Sequence, residues 1–152
     1  MYKSLLGRIE KELIRWGGGL QPPCTTDELT KLQHKAQRQL SRAVPDEYVK
    51  FLSTVNGMCW NGLEIFACAP TPKAGQSDYT IGGYIESNLR YRELGSPDKY
   101  LIFAADDICL YAYNLIDKEF QTTTRAGNTV LHSYKSFNKL IVDALKAALG
   151  ET

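Results

Sequence analysis

Long apolar runs, net charge, histidine and closely spaced cysteine are all scarce in this 152-residue chain, and each shortage removes a class of function. No stretch approaches the roughly eighteen consecutive apolar residues of a membrane span, so no membrane association is expected. The N-terminus, Met1 to Lys11, becomes charged before an apolar signal region can develop, which points to a cytoplasmic location. Eighteen basic residues against seventeen acidic ones leave a net charge of +1. No bulk field therefore draws the chain to nucleic acid, and any recognition by charge has to be local.

The two histidines are His34, among Gln and Lys on a predicted helix, and His132, at the end of the last predicted strand. Neither belongs to a G-x-S-x-G, an H-E-x-x-H or a His/Cys/carboxylate set with ligand spacing. The surviving catalytic reading, a small hydrolase using His132 with an acidic residue, ranks third. Cys24, Cys59, Cys68 and Cys109 lie much further apart than the two to four or so residues of a metal knuckle. They read as reduced, mostly buried thiols, so neither a metal nor a cofactor is expected. Gly17-Gly18-Gly19 lacks both a preceding strand and a following Lys-Ser/Thr, which argues against phosphate binding.

What the chain does have is periodicity. With 43% apolar residues, 152 positions suit one domain able to bury a core without staples. Leu5, Ile9, Leu13 and Trp16 recur at helical spacing and are stopped by the glycine run. Thr25-Thr26-Asp27-Glu28 has capping-box form, and Leu29, Leu32, Ala36 and Leu40 mark a second helix behind it. Pro45 opens a third in its first turn, where a missing N–H is no loss. Its apolar face is Tyr48, Phe51, Leu52 and Val55, and Asn56-Gly57 are expected to end it in the left-handed conformation.

Trp60-Asn61 then fall in a loop before a short strand, Leu63 to Phe66. Ala69 to Asp78 read as loop, and Ile81, Ile85 and Leu89 as a fourth helix running to about Glu93. From Tyr100 the period becomes two. Tyr100 to Phe103, Ile108 to Tyr113, Phe120 to Thr124 and Thr129 to Leu131 form an expected antiparallel meander. A final helix carries Phe137, Leu140, Ile141, Ala144, Leu145 and Ala148. The fold class is therefore α+β: an antiparallel sheet of about five or six strands with helices mainly on one face. The helical part spans 1–56, and the sheet with its closing helix spans 57–150.

Pro45, Tyr48, Phe51, Leu52, Asn56 and Gly57, followed by Asn61-Gly62-Leu63-Glu64-Ile65-Phe66, make a pattern that resembles the SUKH superfamily, within it the YrhA-like branch. Tyr100 to Phe103, the segment through Asp106-Asp107 into Ile108 to Tyr113, and Tyr134-Lys135-Ser136-Phe137 look like the later elements of that family. The resemblance covers roughly Ala43 to Leu149. It implies a non-enzymatic bacterial immunity protein that neutralises a cognate protein toxin, such as a nuclease or another secreted effector domain, by stoichiometric binding. The alternative is a regulatory or scaffolding interaction module without a toxin.

Three places are candidates for the binding surface, and each has a structural reading beside the functional one. Asp106-Asp107 either shape a polar turn or form an acidic hot spot for a basic partner, joined by Glu64, Asp78 and Glu86. Tyr111 and Tyr113 lie on a strand apolar on both faces, which is either covered within the fold or presented to a partner. Trp60 with Asn61 is either a lid on the core or an exposed anchor.

Overall fold

Helix α1 (Tyr2–Arg15) begins a computed structural model that describes residues 1–151. It buries Leu5, Leu6, Ile9 and Leu13 as one stripe. Trp16, expected on that stripe, is instead 81% exposed. The amides of Gly17 and Gly18 fold back onto the carbonyls of Ile14 and Leu13, at 3.1 and 2.9 Å, and this tight turn leaves the indole outside. In α2 (Thr26–Gln39) the capping box is complete. Thr25 Oγ1 accepts the Glu28 amide at 3.1 Å, and Glu28 Oε1 accepts the Thr25 amide at 2.9 Å.

Helix α3 (Asp46–Leu52) starts one residue later than expected, with Pro45 as its N-cap, and ends at Leu52 well short of Asn56-Gly57. Its apolar face holds, since Tyr48, Phe51 and Leu52 are fully buried and Val55 just beyond is 1% exposed. Gly57 does adopt a positive φ of 78°. The reason is close approach and not helix termination, because a Cβ there would lie 2.8 Å from the Ile65 carbonyl oxygen and 2.9 Å from the Ala67 nitrogen.

Trp60 and Asn61, expected in a loop, belong to a hairpin of β1 (Met58–Trp60) and β2 (Leu63–Ile65). Asn61 and Gly62 have φ of 50° and 86°, the primed geometry that matches strand twist and that this residue pair favours. A second hairpin, β3 (Thr71–Lys73) and β4 (Gln76–Ile81), replaces the loop expected from Ala69 to Asp78. Every β4 residue but Ile81 is exposed, so no alternation of apolar residues marks it. The side chain of Gln21 secures the hairpin by donating to the Pro72 carbonyl at 3.0 Å and accepting from the Ala74 amide. Ile81 thus ends a strand, and α4 (Tyr84–Glu93) begins only after Gly82-Gly83.

The remaining elements follow the expected meander: β5 (Tyr100–Ala105), β6 (Cys109–Asn114), β7 (Glu119–Thr124), β8 (Val130–Tyr134) and the closing helix α5 (Phe137–Ala148). All six strands of the main sheet pair antiparallel in the order β1-β2-β5-β6-β7-β8. Among the described residues the architecture is therefore α+β, a six-stranded antiparallel sheet with five helices. Helix α5 packs on β2, β6, β7 and β8, while α1 and α3 pack on α5.

Aromatic rings fill the space between these layers. Tyr48 of α3 meets Phe103, Tyr84 and Phe137 at centroid separations of 5.0, 5.1 and 5.6 Å. Its hydroxyl donates to the Phe66 carbonyl at 2.6 Å, so the one polar atom of a fully buried ring is satisfied. Burying each such ring contributes about 1.5–3 kcal/mol. No helix among the described residues is long and apolar enough to cross a membrane.

Candidate partner-binding surface

The pairing of β2 with β5 sets Glu64 opposite Ala105, and Asp106-Asp107 follow directly on β5. Glu64, Asp106 and Asp107 thereby line one cleft of about 380 Å³ together with Cys59, Phe66, Tyr79, Arg90, Tyr91, Leu94 and Arg125. The cleft is mixed in charge. Arg125 donates to the Asp106 carbonyl oxygen at 2.8 Å, and its guanidinium carbon lies 5.9 Å from the Tyr91 ring centroid, an attractive arrangement for a cation. Cys59 hydrogen-bonds the Tyr79 hydroxyl at 3.4 Å, and this contact is the main reason the phenol is pushed up to about 12.

The two aspartates differ in role. Asp106 Oδ1 accepts the amides of Ile108 and Cys109 at 2.9 and 2.7 Å, and Oδ2 accepts the Tyr111 hydroxyl at 2.8 Å. It shapes the turn. Asp107 is exposed at the cleft mouth and enters no hydrogen bond or ion pair among the described residues. Ile108, expected to open the strand, sits in this turn with 69% of its surface exposed. Glu64 is half-buried and accepts the Gly82 amide at 2.9 Å. Asp78 stands exposed on β4, whereas Glu86 pairs with Lys35 at 2.6 Å and ties α4 to α2.

The other expected residues lie elsewhere. Tyr111 is 3% exposed, and burial followed by the Asp106 carboxylate pushes its phenol well above the ordinary range. Tyr113 is half-buried, its ring 4.8 Å from that of Phe120. Leu110 and Ala112, on the opposite face of β6, are buried as well, which matches the reading that the fold itself covers this strand. Trp60 is half-buried beside Leu13, Trp16 and Lys73, and the Asn61 amide donates to the Ala148 carbonyl at 2.8 Å, capping the end of α5.

His132 is exposed on β8, in a separate groove with Tyr134 and Asp143. The Asp143 carboxylate is taken by the Tyr134 hydroxyl. Sequence reasoning missed Tyr79, Arg90, Tyr91 and Arg125, which join the acids only through tertiary packing. It also missed that Cys24 and Cys68 meet beside Glu28.

No family model matches the chain, and no curated protein matches it. Among solved structures the chain is similar to one described as the crystal structure of a protein from Pseudomonas syringae pv. tomato. The likeness has a TM-score of 0.54 and 17% sequence identity, over 88% of this chain and 90% of that one. At that identity the similarity bears on the fold alone.

Proposed function

We propose that the chain is a non-enzymatic immunity protein of the SUKH kind, which neutralises a cognate bacterial toxin by binding it directly in the cytoplasm. The observation that carries this reading is the make-up of the cleft mouth. An uncommitted carboxylate, Asp107, lines the cleft together with the exposed apolar groups Leu94 and Tyr79, which are 71% and 46% exposed, and is followed in the chain by Ile108, 69% exposed. A charge flanked by apolar and aromatic groups suits protein recognition, in which desolvated anchors carry the energy and charge selects the partner. The order of motifs from Pro45 to Phe137 adds the family resemblance, and the α+β fold is compatible with it.

Co-expression with a toxin domain encoded beside this chain tests the reading. An equimolar complex that abolishes toxin activity is the expected result. A toxin that stays fully active in the presence of excess folded protein refutes it. A stable complex with undiminished toxin activity points instead to the regulatory or scaffolding alternative.

A further inference from the structure

Cys24 and Cys68 are far apart in sequence, and each is only 7% exposed. The Cys24 amide donates to the Leu52 carbonyl at 2.9 Å, fixing the segment ahead of α2 against the end of α3. The Cys68 amide donates to Asn56 Oδ1 at 2.8 Å, fixing the segment after β2 at the same place. Glu28, in the first turn of α2, joins them. Among the described residues this is the one group of three or more His, Cys, Asp or Glu side chains whose ligand atoms lie within 4.8 Å of one another.

We propose that Cys24, Cys68 and Glu28 form a binding site for a thiophilic divalent cation of the zinc class. Two sulfurs and one carboxylate oxygen are a donor set zinc accepts, with a fourth position left to water. A tetrahedral zinc ion separates such ligand atoms by about 3.5–3.8 Å. Cys68 Sγ and Glu28 Oε2 are 3.9 Å apart, close to that spacing, and all three ligand atoms lie within 4.8 Å of one another. Glu28 is already aimed: its Oε1 accepts the Thr25 amide in the capping box, which orients Oε2 toward the sulfurs as an outer hydrogen bond orients a ligating carboxylate.

Two thiolates beside a carboxylate repel one another in a buried place, and a divalent cation removes that repulsion. Bound there, the ion would clamp the start of α2 to the segment that leaves the β1–β2 hairpin. The exposed Glu28 carboxylate offers the way in from solvent.

Titration of the reduced, chelator-stripped protein with cobalt(II) tests the site, followed by displacement with zinc. The expected result is a thiolate-to-cobalt charge-transfer band that saturates at one equivalent and disappears as zinc is added. Cys24→Ser and Cys68→Ser should each abolish the band. Glu28→Gln should keep it while weakening zinc affinity by about 10- to 100-fold. Glutamine still serves a capping box, so this exposed change leaves the fold intact if a cysteine variant fails to fold. A wild-type protein without the band overturns the proposal. So does a band that survives in the Cys24→Ser/Cys68→Ser double variant, which would assign it to Cys59 or Cys109, and so does unchanged zinc affinity in Glu28→Gln.

Discussion

Replacing Asn88 with Ala should be among the most damaging single changes outside the aromatic core. Asn88 lies on α4 at 1% exposure, facing the stretch of β5 that β2 is too short to pair. There the Ile102 amide donates to Asn88 Oδ1 at 2.7 Å, and Nδ2 donates to the Ile102 carbonyl at 2.8 Å. Nδ2 also donates to the Tyr84 carbonyl at 2.8 Å, which holds the side chain in place. One amide side chain thus stands in for a missing strand. Its removal leaves two buried backbone groups without partners at about 1–3 kcal/mol each, or about 2–6 kcal/mol together. Equilibrium urea unfolding reads the loss, with an unchanged denaturant slope showing that the native state is the one affected.

Asn88→Asp sharpens the test. Its oxygens still accept the Ile102 amide, but at neutral pH a charged carboxylate faces the two carbonyl oxygens. Burial and those carbonyls raise the folded-state pKa of the introduced carboxyl above its unfolded value of about 3.9. The variant's stability relative to wild type should therefore be greatest below about pH 4 and fall as pH rises through the folded pKa. A loss under about 1 kcal/mol for Asn88→Ala, or an Asn88→Asp difference from wild type that does not change with pH, would refute the reasoning.

The same edge shows why the sequence was readable in some places and silent in others. Helices α1, α2 and α5 were legible because each buries a single stripe, and β5 to β8 because short turns separate strand-like runs. The β1–β2 hairpin carried its signal in Asn61-Gly62, but three-residue strands leave too little alternation around it. Hairpin β3–β4 is exposed along nearly its whole length, so hydrophobic patterning had nothing to report.

The cleft follows from the pairing of β2 with β5 across an intervening hairpin and helix, a long-range register with no local trace. Glu64 and Asp106-Asp107 could be named as acids but not placed together. Cys24 and Cys68 escaped for a related reason. Spacing rules assume ligands on one short loop, whereas these two are set by separate hydrogen bonds to the end of α3 and the turn after it.

Phe51→Ala or Leu52→Ala should cost about 2–5 kcal/mol, since both side chains are fully buried, and an unchanged thermal melt would show the α3 face misassigned. At Gly57, Val and Asn should both be strongly destabilising in urea unfolding, because any Cβ meets the Ile65 carbonyl oxygen; a near-neutral Gly57→Asn would refute that overlap. In alkali, Tyr79 and Tyr134 should titrate near 12 by ultraviolet absorbance, Tyr79 through its hydrogen bond with Cys59 and Tyr134 through burial. With folded values above the unfolded value of about 10, their stabilising effect is complete below pH 10 or so and is lost as pH rises through 12. If the chain binds a toxin as proposed, the two aspartates of the cleft should separate cleanly when melting temperature and toxin affinity are measured on the same samples. Asp106→Ala removes three side-chain hydrogen bonds and should lower stability by about 2–3 kcal/mol, with binding retained by the folded fraction. Asp107→Lys touches an exposed carboxylate and should stay within about 0.5 kcal/mol of wild type while weakening toxin binding by about 10- to 100-fold. Full affinity in folded Asp107→Lys would remove the cleft mouth from the interface, because a reversed charge in contact with a basic partner cannot be silent.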